Sequence, residues 1–102
     1  MSQERSRATS EIQIDNDSVL VTRWDFLPGA ETGWHRHEWD CVVVPLTDGN
    51  LMLETLTENY NVKLSRGTSY SRSAGTEHNA VNVGGSGFSF VEIEIKVSPI
   101  SE

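Results

Sequence analysis

Gly33-Trp34-His35-Arg36-His37-Glu38-Trp39-Asp40-Cys41-Val42-Val43-Val44-Pro45-Leu46-Thr47-Asp48-Gly49 is the stretch on which the reading of this chain turns. It joins a His-x-His pair to a run of β-branched residues and closes on Asp-Gly, so it reads as strand followed by turn. Successive side chains of a strand point to opposite faces, which directs His35 and His37 the same way, spaced to grip one ion. The remaining histidine, His78, lies 41 positions beyond His37 in Gly75-Thr76-Glu77-His78, a separation that one sheet folded over another can close. Imidazole is a common ligand for Zn, Fe, Ni and Cu, and three histidines leave coordination positions open for water or substrate.

Outward from that stretch the chain continues as short apolar runs broken by turn residues. Glu11 to Ile14 and Val19 to Leu27 read as strands separated by Asp15-Asn16-Asp17, and Pro28-Gly29 stops the second. Cys41 to Leu46 reads as a buried strand whose Thr47-Asp48-Gly49 turn favours a hairpin, with Leu51 to Thr57 leading away. Tyr60 to Leu64, Thr68 to Ser73, His78 to Val83 and Phe88 to Val97 complete the set. No window repeats apolar residues at the helical period, so the expected class is all-β, a sandwich or barrel. Pro45 lacks the N–H of a central strand and is expected at an edge or bulge. Val91, Ile93 and Ile95 alternate with Glu92, Glu94 and Lys96, which predicts the aliphatic face in the core and the charged face in water.

The whole chain, 102 residues, is enough for one domain and one core. Residues 1–10 are polar and are expected to form a loose arm, 11–97 the barrel and 98–102 a tail. Eight Lys and Arg against 15 Asp and Glu give a net charge of −7, which argues against nucleic acid or an anionic membrane as partner. A single cysteine, Cys41, forms no internal disulfide, and no apolar run reaches the length of a signal-peptide core or membrane span. The expectation is a cytoplasmic protein that takes a small-molecule ligand.

These residues resemble the cupins, small double-sheet jelly-roll barrels. The first cupin motif is a glycine, five residues, His-x-His, three or four residues, a glutamate, six residues and a glycine; Gly29, His35, His37 and Gly49 fall in its register. The second is a glycine, five residues, Pro-x-Gly, two residues, a histidine, three residues and an asparagine; Gly67, Gly75, His78 and Asn82 fall in register, with Ser73 for the proline. Within the cupins, Gly33 to Gly49 is similar to a small single-domain group labelled as β-alanine degradation proteins. The resemblance implies a double-stranded β-helix and a divalent transition metal such as Fe, Ni, Zn or Mn on His35, His37 and His78. It also implies a homodimer, which agrees with the need of an antiparallel domain to protect its edge strands.

One position departs from the pattern. The metal-binding glutamate of the family falls on Cys41 or Val42, depending on the spacing counted. Asp40 shares strand parity with Val42, Val44 and Leu46, so it faces the interior if those valines do. It is then a fourth ligand, a ligand through water, or the acceptor that orients a histidine N–H; the last is favoured because its carboxylate is shorter and sits two residues early. The same parity places Cys41 outward. Asn82 is expected to tie down a loop.

Three neutral imidazoles leave a divalent ion its full charge, which favours anionic, chelating ligands such as a small carboxylate or 1,3-dicarbonyl. The leading expectation is a metal-dependent enzyme on a small organic acid, dioxygenase-like or lyase- or isomerase-like, with Asp40 as the catalytic group that orients a ligand or moves a proton. Arg72 is a candidate clamp for the substrate carboxylate, with Tyr70 beside it on the same strand face and Trp34 walling the pocket; Trp24 and Trp39 are further candidates for that wall. The alternatives are a binding or sensing module that uses the pocket without turnover, and a structural barrel without metal.

Overall fold

Turn chemistry sets most of the strand boundaries. The computed structural model describes residues 5–96, among which lie β1 (Thr9–Asp15), β2 (Val19–Phe26), β3 (His35–Arg36), β4 (Asp40–Pro45), β5 (Gly49–Glu54), β6 (Asn59–Leu64), β7 (Tyr70–Arg72), β8 (Glu77–Asn82) and β9 (Phe88–Ile95). β1 and β2 form a hairpin around Asn16, whose Oδ1 accepts the N–H groups of Ser18 and Val19 at 2.8 and 2.9 Å. β5 and β6 form another, closed by the Thr55 N–H donating to the Glu58 carbonyl at 3.0 Å. The described residues contain no helix, and so none long and apolar enough to cross a membrane.

The strands form two sheets, of order β1-β2-β9-β4-β7 and β3-β8-β5-β6, with every strand pair antiparallel. They close around a core that includes Phe26, Val43, Leu51, Leu53, Leu64, Ala80, Phe88 and Phe90. The Phe26 ring lies 4.6 Å from Phe88 and 5.5 Å from Phe90, within the range of favourable aromatic pairs. This apolar half of the interior closes one end of the barrel. The histidines lie toward the other.

Several expectations are corrected by the topology. Asp48-Gly49 does not close a hairpin: β4 and β5 lie in different sheets, and the turn carries the chain across the barrel. Gly49 is needed there because a Cβ would come within 2.6 Å of the Phe88 ring, while Asp48 Oδ1 accepts the Arg66 N–H at 2.8 Å. Pro45 is neither on an edge strand nor in a bulge. It ends β4 beyond the last residue that β7 pairs, Val43 opposite Tyr70, so no partner strand needs its missing N–H there.

Two strand faces are the reverse of the expected ones. On β4 the buried residues are Cys41, Val43 and Pro45, and Asp40 is exposed. Consecutive valines carry no alternation, so composition alone leaves the parity of this strand open. On β9, Phe88, Phe90, Glu92 and Glu94 share the inner face, whereas Val91, Ile93 and Ile95 lie half-buried on the outer side of the five-stranded sheet beside Val42 and Val44. The alternation was real, but its polar phase lines a cavity.

The expected loose arm is bonded from Arg5 onward. Thr9 and Ser10 belong to β1, Arg7 bridges to Glu31, and Glu31 bridges in turn to Val81 on the outer side of β8. Arg5 donates to the Glu31 and Glu54 carboxylates at 3.2 and 3.0 Å, and Asn79 Nδ2 donates to both at 2.7 and 2.8 Å. Asn79 and Val81 of β8, which this crossing contacts, are both buried. Residues 1–4 and the expected tail, 98–102, lie outside the described residues.

Candidate metal centre

β3 is only two residues long, yet it sets His35 directly opposite His78 of β8. His37 follows just after β3 and is fixed by its own backbone: its N–H donates to the Thr76 carbonyl, and its carbonyl accepts the Gly75 N–H, both at 2.8 Å. The three rings face one another edge to face. Their centroids are 5.0 Å apart for His35 and His37, 4.7 Å for His35 and His78, and 5.0 Å for His37 and His78.

The nitrogens meet the spacing an ion requires. One ligating atom from each histidine lies within 4.8 Å of the others, and the Nε2 atoms of His37 and His78 are 3.1 Å apart. Two nitrogens bound at about 2.0–2.1 Å to one ion, at angles between octahedral and tetrahedral, are separated by about 2.8–3.4 Å. Burial, reinforced by the charge of His35 and Arg72, lowers His37 to about 4 and His78 to about 3. Both are therefore neutral at pH 7, the form that coordinates. His35 Nδ1 lies 2.9 Å from the Gly33 carbonyl and 3.3 Å from Thr32 Oγ1, so an N–H there turns Nε2 toward its neighbours.

Gly33 is held in turn from two sides. Its N–H donates to Asn79 Oδ1 at 2.9 Å, and Arg7 Nη1 donates to the adjacent Thr32 carbonyl at 2.7 Å. Gly33 has φ of 90°, and a Cβ there would lie 1.9 Å from Arg7 Nη1, so only glycine fits. The segment expected to be a loose arm thus braces the peptide next to the carbonyl that orients His35.

A cavity of about 420 Å³ opens beside the three histidines. Tyr70 and Arg72 line it, with the Arg72 guanidinium 5.1 Å from the Tyr70 ring centroid. Burial raises the Tyr70 hydroxyl, which therefore keeps its proton. Trp24 and Trp39 also line the cavity. Trp34, expected in the wall, is instead 47% exposed and donates from Nε1 to Glu77 Oε1 at 2.9 Å, because it directly precedes the inward-facing His35 and so points to the opposite face.

Asp40, expected as the catalytic group, also points outward. Its Oδ1 accepts the Ala74 N–H at 2.7 Å, which ties β4 to the loop of the second histidine motif, and it lies outside the cavity wall. Cys41 takes the inward position, with Sγ 3.9 Å from His37 Nδ1. Burial, with Glu92 and Glu94 nearby, pushes its thiol up to about 12, so it stands as a neutral side chain where the family pattern has a carboxylate. The sequence reading missed Glu92 and Glu94, which line the cavity from β9. The available signal was their i, i+2 spacing in line with Phe88 and Phe90, a continuous inner face that begins apolar and ends acidic.

Asn82 ties down the loop after β8. It is 1% exposed, its Nδ2 donates to the carbonyls of Ser86 at 2.9 Å and Phe26 at 3.4 Å, and its Oδ1 accepts the Gly84 N–H at 2.9 Å.

A jelly roll whose two motifs bring three histidines together at one end of the barrel is the architecture of a cupin. The chain belongs to the cupin family: residues 22–94 match the Cupin domain model, Cupin_2. It is 52% identical over 92 residues to the beta-alanine degradation protein BauB of Pseudomonas aeruginosa, a match that covers 90% of this chain and 97% of that protein. The crystal structure of a cupin domain from Bordetella pertussis Tohama I superposes with a TM-score of 0.91 at 52% identity, covering 94% of this chain and all of that one. A Klebsiella pneumoniae protein with a double-stranded β-helix domain, 18% identical, shares the fold at a TM-score of 0.75 over 93% of this chain and 82% of its own.

Proposed function

We propose that this cupin holds one divalent transition ion, Fe, Ni, Zn or Mn, on His35, His37 and His78, and that it acts on a small organic acid bound in the adjoining cavity. The observation that carries this reading is the convergence of three imidazoles at ligating distance beside a cavity of small-molecule size. Such an ion supplies a Lewis acid that polarises a carboxylate or carbonyl and can activate water or O₂. The protein's own groups orient the substrate. The Gly33 carbonyl fixes the His35 ring, the protonated Tyr70 hydroxyl offers a hydrogen bond to a substrate oxygen, and Arg72 offers an anion a charge-assisted one. Trp24 and Trp39 narrow the access of water.

The Pseudomonas relative is named for β-alanine degradation, and β-alanine is itself a small carboxylic acid. A binding or sensing role without turnover is the second reading. It is favoured by one observation: Asp40, the expected proton-transfer group, faces away from the cavity.

Elemental analysis of untagged protein, purified without added metal, tests the site. One ion per chain is expected, and a His35→Ala, His37→Ala double variant that keeps its β-sheet circular dichroism should lose it. Equal metal content in the two proteins would remove the site. Acetate should then bind the loaded form and not the chelator-treated form, and turnover of a keto acid or diketone with O₂ uptake or hydrolysis separates enzyme from sensor.

A further inference from the structure

The inner face of β9 carries two carboxylates into the cavity, and the proposed reaction uses neither. Glu92 and Glu94 follow Phe90 on that face. In register across the sheet, Glu92 lies beside Val43 and then Tyr70, and Glu94 beside Cys41 and then Arg72. A Glu92 oxygen is within 4.8 Å of ligating atoms of both His37 and Cys41, but Glu92 does not join the group formed by His35, His37 and His78. It therefore stands beside the proposed ion rather than among its ligands.

We propose that the cavity is built for a zwitterion, a short amino acid whose carboxylate faces the three histidines while its ammonium group is held by Glu92 and Glu94. This rests on the metal reading above and goes beyond it in naming the second charged end of the substrate.

Glu92 and Glu94 stand two residues apart on one face of β9 and both line the cavity, an arrangement in which two anions are stable side by side only with a proton or a cation between them. Burial and the neighbouring Glu94 push Glu92 up to about 7, the behaviour of a pair short of positive charge. Among the described residues, the ion pairs join Arg5 to Glu31 and Glu54, Arg23 to Asp25 and Lys96 to Asp15; none reaches Glu92 or Glu94. The one guanidinium deep in this wall, Arg72, lies over the Tyr70 ring. An ammonium group has three donors, enough to bond both carboxylates at once. Trp24 and Trp39 line the same cavity and suit the methylenes and the charge of such a ligand. The charges of the wall point the same way. Glu38, Glu92 and Glu94 outnumber Arg36 and Arg72, so away from the ion the cavity is no home for a second anion.

The test is calorimetry on zinc-loaded protein with three short ligands that share one carboxylate and differ at the other end: 3-aminopropionate, propionate and succinate. The amino acid should bind at least about tenfold more tightly than propionate, and succinate no better than propionate. In a Glu92→Gln, Glu94→Gln variant the preference should vanish while propionate affinity stays within about threefold. The single Glu94→Gln variant, which leaves one carboxylate, should retain part of it. Propionate or succinate binding as tightly as the amino acid in the natural protein would overturn the zwitterion while leaving the organic-acid reading intact. A preference that survives the double variant would also overturn it, by assigning the amine to the metal. Failure of all three ligands on protein that still holds zinc would overturn both readings.

Discussion

Lowering the pH of the metal-free barrel from 7 to 5 sets two buried groups against each other, and the balance can be worked from the structure. His37 and His78 take up protons near 6.5 when unfolded but only at about 4 and about 3 when folded. Their neutral burial therefore contributes stability that is fully present above 6.5 and is lost as pH falls toward the folded values, because the unfolded chain binds the extra protons. Between pH 7 and pH 5 each histidine withdraws about 2 kcal/mol, or about 4 kcal/mol for the pair. Glu92 acts in the opposite sense. Its folded value of about 7 lies above the ordinary 4.5, so the folded state binds the extra proton and gains about 2 kcal/mol over the same interval. The natural protein should thus lose only about 2 kcal/mol. Glu92→Gln should lose about 4 kcal/mol, and a His37→Gln, His78→Gln variant should gain about 2 kcal/mol. Urea denaturation in the presence of chelator, followed by tryptophan fluorescence at several pH values, reads all three slopes. These differences are large against a typical total stability of about 5–15 kcal/mol. Parallel slopes in the three proteins would refute the argument, for it would mean that neither the histidines nor Glu92 are held as the barrel interior requires.

Two further outcomes follow from side-chain direction and from buried polar groups. Cys41→Glu places a carboxylate beside His37 and should tighten metal binding and weaken acetate binding to the loaded form by about tenfold, whereas Val42→Glu, on the outer face, should change neither; calorimetry with each variant checks this, and the reverse pattern would invert the strand parity. Asn82→Ala strands the Ser86 and Phe26 carbonyls and the Gly84 N–H, and should cost about 2–4 kcal/mol in chemical denaturation; a loss under about 1 kcal/mol would show that the loop holds itself.

The parts of this fold that are legible in the sequence are those that local chemistry dictates. The Asn16 turn, the absence of helix and the strand content around each histidine all follow from residue type and spacing, whereas the Thr55–Glu58 turn falls where Leu51 to Thr57 was expected to run on as strand. The three histidines are legible because each sits a fixed number of residues from a glycine that makes the backbone turn. What is not legible depends on which face of a strand meets which neighbour. Val42-Val43-Val44 reads identically in either parity, and β9 alternates cleanly but hides its acidic phase in a cavity rather than showing it to water. Cys41 and Asp40 exchanged their expected places for the first reason, and Glu92 and Glu94 passed for solvent residues for the second. The arm was unreadable for a different cause: Arg5 and Arg7 find their partners at Glu31, Thr32 and Glu54, a set of contacts that only tertiary closure assembles.

The pairing of His35 with His78 across the short β3 has a kinetic consequence. β3 is too short to form by itself, and its partner strand lies some forty residues on, beyond the four strands β4 to β7 and repeated crossings between the two sheets. β9, similarly, must thread between β2 and β4 before the five-stranded sheet exists. Folding must therefore close long loops before those pairings reward it, which places such a barrel among the slower small domains. A nascent or partly folded chain presents scattered histidines and no chelating set, so ions in its surroundings engage the finished barrel in preference to its precursors. Metal uptake would then serve as a late clock for folding, and by binding only the closed form it would hold that short edge strand in place.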